Sequence, residues 1–372
     1  MATDNSKRIT NLDGIRGLLS LVVVLNHSFL VVAIPQYANV WGENYLKFVD
    51  FPSKIQQIMM ILGNGGTAVS MFFVMSGYVL NFSLGKFSWS VSNYLRFLWK
   101  RFIRLYPAFF FTIFLISIAR WLGFNYRTFP HASAWYHWWM NFDLSLKEFF
   151  LNTVFVNINL GGVTWTLRVI VLISFFAPAL YYISKKLNSW QNILFAGLLT
   201  YLSFNLLNLE NFRDFRYVYM FYLGLIIPEF EYLFKRLPRL LIYSSLPFLL
   251  YIMFTIRYQT NEYVGGVYES YISWLILGLT IYQSNLKIFT FLTHPWLLFI
   301  GKISYSLYLI HFTILYTLAR IIFQFLPQVN YTQHYLVTHF FLLGVSAIVT
   351  IPLSWLVYSY IEKLPDRLSN KQ

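Results

Sequence analysis

IRGLLSLVVVLNHSFLVVAI, residues 15–34, is the stretch that decides the fold class. It is twenty residues long, and its only ionisable side chains are Arg16 and His27. About 20 mostly apolar residues are what a helix needs to cross the hydrocarbon core of a bilayer. No small-residue cleavage site follows the polar residues 1–14, so we expect this helix to be retained rather than removed as a signal peptide.

Similar apolar segments recur along the whole chain. Of its 372 residues, 58% are hydrophobic and 11% are charged, against roughly 25% charged in soluble domains. We predict an all-α, polytopic membrane helix bundle of about ten transmembrane helices, in a single domain over 1–372 with no appended soluble domain. The predicted spans are 15–34, 66–84, 105–123, 164–183, 192–209, 215–232, 239–256, 268–283, 302–326 and 335–360, with a short interfacial segment near 289–300.

The formal net charge of +14 follows from membrane topology. With a cytoplasmic N-terminus, the predicted inside loops carry 18 of the 28 lysines and arginines and 6 of the 14 acidic residues. This distribution is the positive-inside bias, so we expect both termini in the cytoplasm, a multi-pass protein of the inner (plasma) membrane, and no nucleic-acid partner. The absence of cysteine excludes disulfides, thiolate nucleophiles and cysteine metal sites.

Ionisable residues inside a membrane helix are functional candidates, because their insertion costs about 2.5–3.5 kcal/mol each. Arg16 and His27 are eleven residues apart, which places them on one stripe of the first helix with a rise of about 16 Å between them. A guanidinium at the cytoplasmic mouth and an imidazole at depth suit a polyphosphate-bearing donor, with His27 as general base. The alternative is that Arg16 is an ordinary positive-inside residue and that His27 serves packing.

His311 lies about 13 Å into the ninth predicted helix, close to the depth of His27. Two buried histidines at one level, on separate helices, make a packing role for both less plausible, although a single histidine bonded to a neighbouring hydroxyl is common. The other five histidines fall in predicted loops or helix ends, and we expect them at the membrane interface: His131, His137, His294, His334 and His339.

Three further groups can be given either a binding or a structural role. Arg101 and Arg104, on one helix face, could hold phosphates or could be topology and headgroup contacts. Ser76 is favoured as a packing residue beside Gly77, because no adjacent base is in sight to activate it. Trp165 could stack on a sugar or anchor at the interface, whereas Arg168 needs an aqueous cavity or a partner.

Four motifs in order make the chain similar to the acyltransferase-3 family of integral membrane O-acyltransferases, and the resemblance covers nearly the whole chain. The motifs are Leu12-Asp13-Gly14-Ile15-Arg16-Gly17 with its spacing to His27, Phe72-Phe73-Val74-Met75-Ser76-Gly77-Tyr78, Arg101-x-x-Arg104-Leu105-Tyr106-Pro107, and Ser304-Tyr305-Ser306-Leu307-Tyr308-Leu309-Ile310-His311. The ending Tyr360-Ile361-Glu362-Lys363 is similar too.

The resemblance implies an O-acetyltransferase that moves acetyl from acetyl-CoA to a cell-surface glycan, such as O-antigen, exopolysaccharide or a lipid-linked sugar. Its partners are then the acyl-CoA donor, the glycan or glycolipid acceptor and membrane lipid, with no metal. The implied catalytic residues are His27, Arg16 and Asp13. The donor contacts are Arg16, Arg101, Arg104, Tyr305 and His311, and the acceptor contacts are Trp165, Arg168 and Ser76.

One position departs from the family pattern. The family commonly has Trp-Ser/Thr-Leu-x-x-Glu, and Ile170 stands here where that glutamate is expected. Arg168 is thereby left without an obvious partner, which predicts altered acceptor specificity or weak activity. The main alternative function is a transporter or flippase for a glycolipid or acyl-bearing solute, since ten helices with buried charges also describe carriers. A catalytically silent membrane scaffold is the second alternative.

Overall fold

The described part of the chain is helical, with no named strand among its residues. The computed structural model describes residues 2–33, 51–85, 88–122, 127–139, 143–205, 209–327, 329–331 and 333–364. Residues 34, 123 and 206–208 of the predicted spans lie outside it. The α-helices are α1 (Ala2–Leu30), α2 (Phe51–Leu62), α3 (Gly65–Leu84), α4 (Val91–Trp121), α5 (Ala134–Trp138), α6 (Leu146–Thr153), α7 (Thr164–Lys186), α8 (Ser189–Asn205), α9 (Val218–Ile226), α10 (Glu231–Arg236), α11 (Arg239–Gln259), α12 (Glu262–Tyr282), α13 (Pro295–Phe325) and α14 (Tyr335–Val357).

Eight helical segments of this part of the chain are long and apolar enough to cross a membrane. They coincide with eight of the ten predicted spans, so the prediction of an all-α polytopic membrane protein is confirmed. The cytoplasmic position of both termini stays a prediction. The segments are Thr10–Leu30, Ser53–Leu84, Val91–Trp121, Thr164–Lys186, Arg239–Gln259, Glu262–Tyr282, Pro295–Phe325 and Leu336–Glu362.

The two remaining predicted spans are shorter or interrupted. The span predicted at 192–209 is α8, which has 17 residues. The span predicted at 215–232 is α9, nine residues long, flanked by the 3-10 segments Glu210–Tyr217 and Ile227–Phe230. Proline at position 228 lacks a backbone N–H and therefore cannot continue the α-helical bonding of α9.

Several helices begin earlier than the sequence predicted, and for α4 and α13 this changes the interpretation. α4 begins at Val91 rather than at 105. Ser90, the residue before it, caps the helix, because its side chain accepts a hydrogen bond from the Asn93 N–H at 3.1 Å. Its basic residues therefore lie on the helix and not in a loop before it. α13 begins at Pro295, a residue that is favourable at a first helical position, so the second half of the predicted interfacial segment belongs to this helix.

The chain divides into two compact units. Unit 1 comprises Met1–Leu19, Gly66–Lys100 and Thr166–Lys302, and unit 2 comprises Ser20–Gly65, Arg101–Trp165 and Ile303–Gln372. That residues 1–372 form a single domain stays a prediction.

Glycines bring helix backbones into contact within unit 1. A Cβ atom added at Gly14 would lie 2.0 Å from the Leu292 carbonyl oxygen, and one at Gly301 would lie 1.9 Å from that of Asp13. A Cβ atom at Gly77 would lie 2.0 Å from the Phe221 carbonyl oxygen. Small residues at these positions permit the close approach of apolar helices that larger side chains prevent.

Candidate active site

Two histidines from separate helices meet in unit 2. His27 lies in the last turn of α1, and His311 lies near the middle of α13. The distance from His27 Nδ1 to His311 Nε2 is 2.8 Å, and the two rings stack with centroids 5.0 Å apart and an interplanar angle of 17°. The sequence predicted equal depth for these residues, and the structure brings them into direct hydrogen-bond contact.

The hydrogen bonds define the protonation of the pair. His311 Nδ1 lies 3.1 Å from the Leu307 carbonyl oxygen, which can only accept a hydrogen bond. A neutral His311 therefore carries its proton on Nδ1 and presents an unprotonated Nε2 to His27. His27 must then donate from Nδ1, which leaves the lone pair on its own Nε2. His311 is 1% exposed, whereas His27 is half-buried, so the ring with the lone pair is the more accessible of the two.

Aromatic rings surround His27 on its other sides. Its centroid lies 5.3 Å from that of Trp135 and 6.1 Å from that of Phe312, the latter in an edge-on arrangement. Trp135 and Trp139 each pack against Phe312 with centroids 5.8 Å apart. The His27 ring thus lies against a wall of large aromatic side chains, which is typical of a small-molecule site with few polar groups.

The tryptophans are positioned by α5, which is fastened to the end of α1. The Ser133 side chain caps α5 by accepting from the Tyr136 N–H, and its hydroxyl donates to the Leu30 carbonyl oxygen. The Ser133 N–H donates to the Val31 carbonyl oxygen at 2.9 Å. These hydrogen bonds join the C-terminal end of α1, which carries His27, to the start of α5. The His27 ring and the tryptophan rings are therefore held in fixed positions relative to each other.

His137 also belongs to this turn. The Phe129 N–H donates to His137 Nε2 at 3.1 Å, which requires that nitrogen to be unprotonated. Burial lowers the pKa of His137 below its ordinary value of 6.5. The expectation that this residue lies at the membrane interface stays a prediction.

The α13 motif ties neighbouring elements of unit 2 together. Tyr305, predicted as a donor contact, donates its hydroxyl to the Leu105 carbonyl oxygen of α4 at 2.6 Å. Ser306 donates to Glu362 Oε2 at 2.7 Å, which joins the motif to the C-terminal segment Tyr358–Glu362. The described contacts of these two side chains are structural ones.

Arg101 and Arg104 lie in the first half of α4, also in unit 2. Arg101 is half-buried and Arg104 is exposed. Their three-residue spacing places them on one helix face, as the sequence predicted.

The first motif has its charged residues paired in unit 1. Arg16 Nη1 lies 3.2 Å from Asp13 Oδ1, and both side chains are partly exposed. Asp13 therefore contacts the guanidinium that was predicted to bind the donor. Ser76, half-buried, precedes Gly77, whose close approach to the Phe221 backbone agrees with the packing role favoured from the sequence.

Arg168 has a carboxylate partner, contrary to the sequence-based expectation. Its Nε lies 2.7 Å from Oδ2 of Asp214, which belongs to the 3-10 segment Glu210–Tyr217 of unit 1. The negative charge missing at Ile170 is thus supplied from a distant part of the sequence. Trp165, predicted as an acceptor contact, is half-buried at the start of α7.

Sequence reasoning missed a second buried ion pair in unit 1. Glu269, which is fully buried, receives two bonds from Arg257 at 2.9 and 2.6 Å. It also accepts from Thr67 and Ser70, each at 3.0 Å. A glutamate inside an otherwise apolar span was the signal that could have found it.

His339, expected at the membrane interface, is buried in the protein, and its position relative to the membrane stays a prediction. This residue lies inside α14, is fully buried, and its Nδ1 lies 2.9 Å from the Ser28 carbonyl oxygen. It contacts the residue that follows His27, within unit 2. Among the residues that the structure describes, no group of three or more histidine, aspartate and glutamate side chains could hold a metal ion.

Comparison with known proteins identifies the family of the chain. No curated protein and no solved structure matches the chain. The acyltransferase-3 family model, described as an acyltransferase domain, matches residues 9–359. That range contains both histidines, the arginine motifs and the α13 motif. The chain therefore belongs to the acyltransferase-3 family and is a multi-pass membrane acyltransferase.

Proposed function

We propose that this acyltransferase moves acetyl from acetyl-CoA to a hydroxyl of a cell-surface glycan, such as O-antigen, exopolysaccharide or a lipid-linked sugar, at the inner membrane. The observation that carries the proposal is the hydrogen-bond series from Leu307 through His311 to His27. It leaves an accessible nitrogen lone pair in a largely apolar site, which is the group that transfer to a hydroxyl needs.

In the direct route, His27 Nε2 accepts the proton of the acceptor hydroxyl while the hydroxyl oxygen attacks the thioester carbonyl carbon. The carbon–sulfur bond then breaks, and the imidazolium returns the proton to the departing thiolate. In the covalent route, the same nitrogen attacks the thioester carbonyl carbon, the carbon–sulfur bond breaks, and CoA leaves as the thiolate. The acceptor hydroxyl then attacks the acyl-imidazolium, the carbon–nitrogen bond breaks, and the hydroxyl proton passes to the thiolate, which restores neutral His27. Both routes need the lone pair on Nε2, so both need the Nδ1 proton to be held by His311.

His311 supports His27 in this mechanism rather than contacting the donor. Its two nitrogens are already engaged with Leu307 and His27, which leaves neither for a phosphate or thioester group. Its role resembles that of the third member of a catalytic triad, which orients the base and selects its tautomer.

The arginines stay the predicted donor contacts. Arg101 and Arg104 offer two permanent cations on one face of α4, and their planar forks suit phosphate oxygens. Arg16 remains a separate prediction, with Asp13 orienting its guanidinium. Arg168 and Trp165 remain predicted acceptor contacts, and the ion pair with Asp214 would hold Arg168 in one direction.

The test is acetyl-CoA consumption by the purified protein in detergent, with crude envelope glycolipid as acceptor. We expect wild type to release CoA only with acceptor, and His27→Ala to lose about 10²–10⁴ of the rate, as removal of a general base does. His294→Ala, a change at an exposed histidine, is the matched control and should keep wild-type activity. A fully active, folded His27→Ala protein would overturn the proposal. Movement of a solute across the membrane without consumption of the thioester would favour the alternative function of a transporter or flippase.

A further inference from the structure

Three tryptophans lie on α5 and at its C-terminal end. Trp135 and Trp138 belong to α5, Trp139 is its C-cap residue with an extended backbone, and Trp138 is 78% exposed. The two ring contacts with Phe312 confirm that Trp135 and Trp139 face the same neighbour. Because the centroid of the Trp135 ring also lies 5.3 Å from that of the His27 ring, this surface borders the proposed base.

The surface is held in place without a ligand. Tyr136 stacks on Tyr316 of α13, with centroids 4.2 Å apart and an interplanar angle of 4°. The Tyr316 hydroxyl reaches the carbonyl oxygens of Tyr136 and Trp139 at 3.3 and 3.2 Å. These contacts, together with the Ser133 cap, fix the backbone on both sides of the two tryptophans. A preformed aromatic surface binds a ring without a further ordering cost.

The Trp139 indole nitrogen lacks a partner. Trp139 Nε1 is shielded from solvent, and no hydrogen-bond acceptor meets it among the described residues. Asn159 Oδ1 is likewise buried without a donor, three residues before Gly162, where an added Cβ atom would lie 2.4 Å from the Phe312 ring. Buried polar atoms in native proteins are nearly always bonded, so an unpaired donor beside an active site indicates a missing ligand atom.

We propose that Trp135 and Trp139 form the binding platform for a sugar ring of the acceptor, with the Trp139 N–H donating to a sugar oxygen. This inference rests on the proposed function, whose base is His27. A pyranose has an apolar C–H face for the indole rings and a rim of hydroxyls for an N–H donor and an imidazole. One hydroxyl of a ring lying on Trp135 would be within reach of His27 Nε2.

The closeness of this surface to His27 excludes the adenine ring of acetyl-CoA as its ligand. Acetyl-CoA also carries a ring that stacks on aromatics, its adenine, but the long pantetheine arm separates adenine from the thioester. When the thioester carbon is beside His27, the adenine is far from it. The ring that lies against Trp135, next to the base, therefore belongs to the acceptor.

The experiment compares Trp135→Phe and Trp139→Phe with Trp138→Phe, which alters the exposed tryptophan of the same helix. We expect each of the first two to raise the KM for glycolipid acceptor roughly tenfold to a hundredfold, because a buried hydrogen bond or stacking area is lost. The KM for acetyl-CoA and the melting temperature should stay near the wild-type values. Trp138→Phe should change neither KM.

A second measurement covers the case in which a substitution disturbs the fold or the chemistry. Acceptor binding is measured without acetyl-CoA on His27→Ala, whose turnover is expected to be about 10²–10⁴-fold slower, and on His27→Ala with Trp139→Phe. Binding in the first protein and its loss in the second would support the platform even if the acyl donor is not acetyl-CoA. Equal acceptor binding by both, or a rise in the acetyl-CoA KM alone, would overturn it and leave the role of His27 standing.

Discussion

Replacing His311 by phenylalanine tests the proposed mechanism most directly. Phenylalanine keeps a flat ring at a site that is 1% exposed, so packing on α13 is largely retained. It offers no acceptor to His27 Nδ1, whose hydrogen bond to His311 is 2.8 Å long in the wild-type protein. The tautomer with the lone pair on Nε2 then loses its support, while the His27 ring itself remains.

The magnitude follows from that one bond. A buried donor left without its acceptor costs about 1–3 kcal/mol, which corresponds to roughly a fivefold to 150-fold loss of rate. We expect this loss in kcat, with the KM for acetyl-CoA unchanged. The assay is steady-state CoA release with acceptor saturating. His311→Gln should lose less than His311→Phe, because the glutamine amide oxygen can accept from Nδ1.

The double variant separates the two roles that His311 has been given. If His311 acts only through His27, then His27→Ala combined with His311→Phe should be no slower than His27→Ala alone, since residues that act as a unit are not additive. If His311 instead contacts the donor, as the sequence suggested, the acetyl-CoA KM should rise and the two losses should multiply. An unchanged kcat in His311→Phe, or a double variant in which the two losses of rate multiply, would refute the proposed role of the hydrogen-bond series from Leu307 through His311 to His27.

Three further outcomes follow from the contacts of other residues. Gly77→Ala should lower the melting temperature in detergent because its Cβ would lie 2.0 Å from a facing carbonyl oxygen, whereas Gly344→Ala, with no atom within 4 Å, should not. Arg257→Met should destabilise by about 3–5 kcal/mol, because it leaves the buried Glu269 carboxylate uncompensated, and adding Glu269→Leu should restore most of the loss if the charge is the cause. Burial lowers the pKa of His137, so the bond that it accepts from the Phe129 N–H is complete above about pH 6.5 and is lost only as the pH falls through this lowered pKa; the protection factor of the Phe129 amide against hydrogen exchange should fall as His137 becomes protonated, and a protection factor that stays constant through that titration would contradict this.

The helices were predictable because one physical requirement defines them. A span must be long and apolar, and this can be counted along the sequence. The requirement says little about where a helix begins or breaks. The basic first half of α4 was predicted as loop because its arginines lower the hydropathy, although Ser90 caps a helix there. The segment around α9 was predicted as one span because the apolar run hides the interruption at position 228.

The depth of the two histidines was predictable, but their contact was not. The rise per residue of a helix gives depth, and it gave similar values for His27 and His311. Contact requires, in addition, the rotation of each helix about its axis and the choice of neighbours, which local periodicity does not contain. The same limit explains Arg168, whose carboxylate was sought near Ile170 on its own helix. The partner, Asp214, approaches from another segment.

The aromatic stretch after His131 shows how one short sequence can hold two kinds of information. Composition alone does not distinguish its tryptophans, and it favours interfacial anchoring for all of them. Ser133 starts a helix by capping, and the helix with its C-cap residue then places Trp135 and Trp139 against Phe312 and leaves Trp138 exposed. The exposure of Trp138 fits the anchoring role, while the ring contact of Trp135 with His27 fits the proposed platform. Anchor and acceptor surface would then be two faces of one turn, so docking α5 beside α1 positions the sugar against the base.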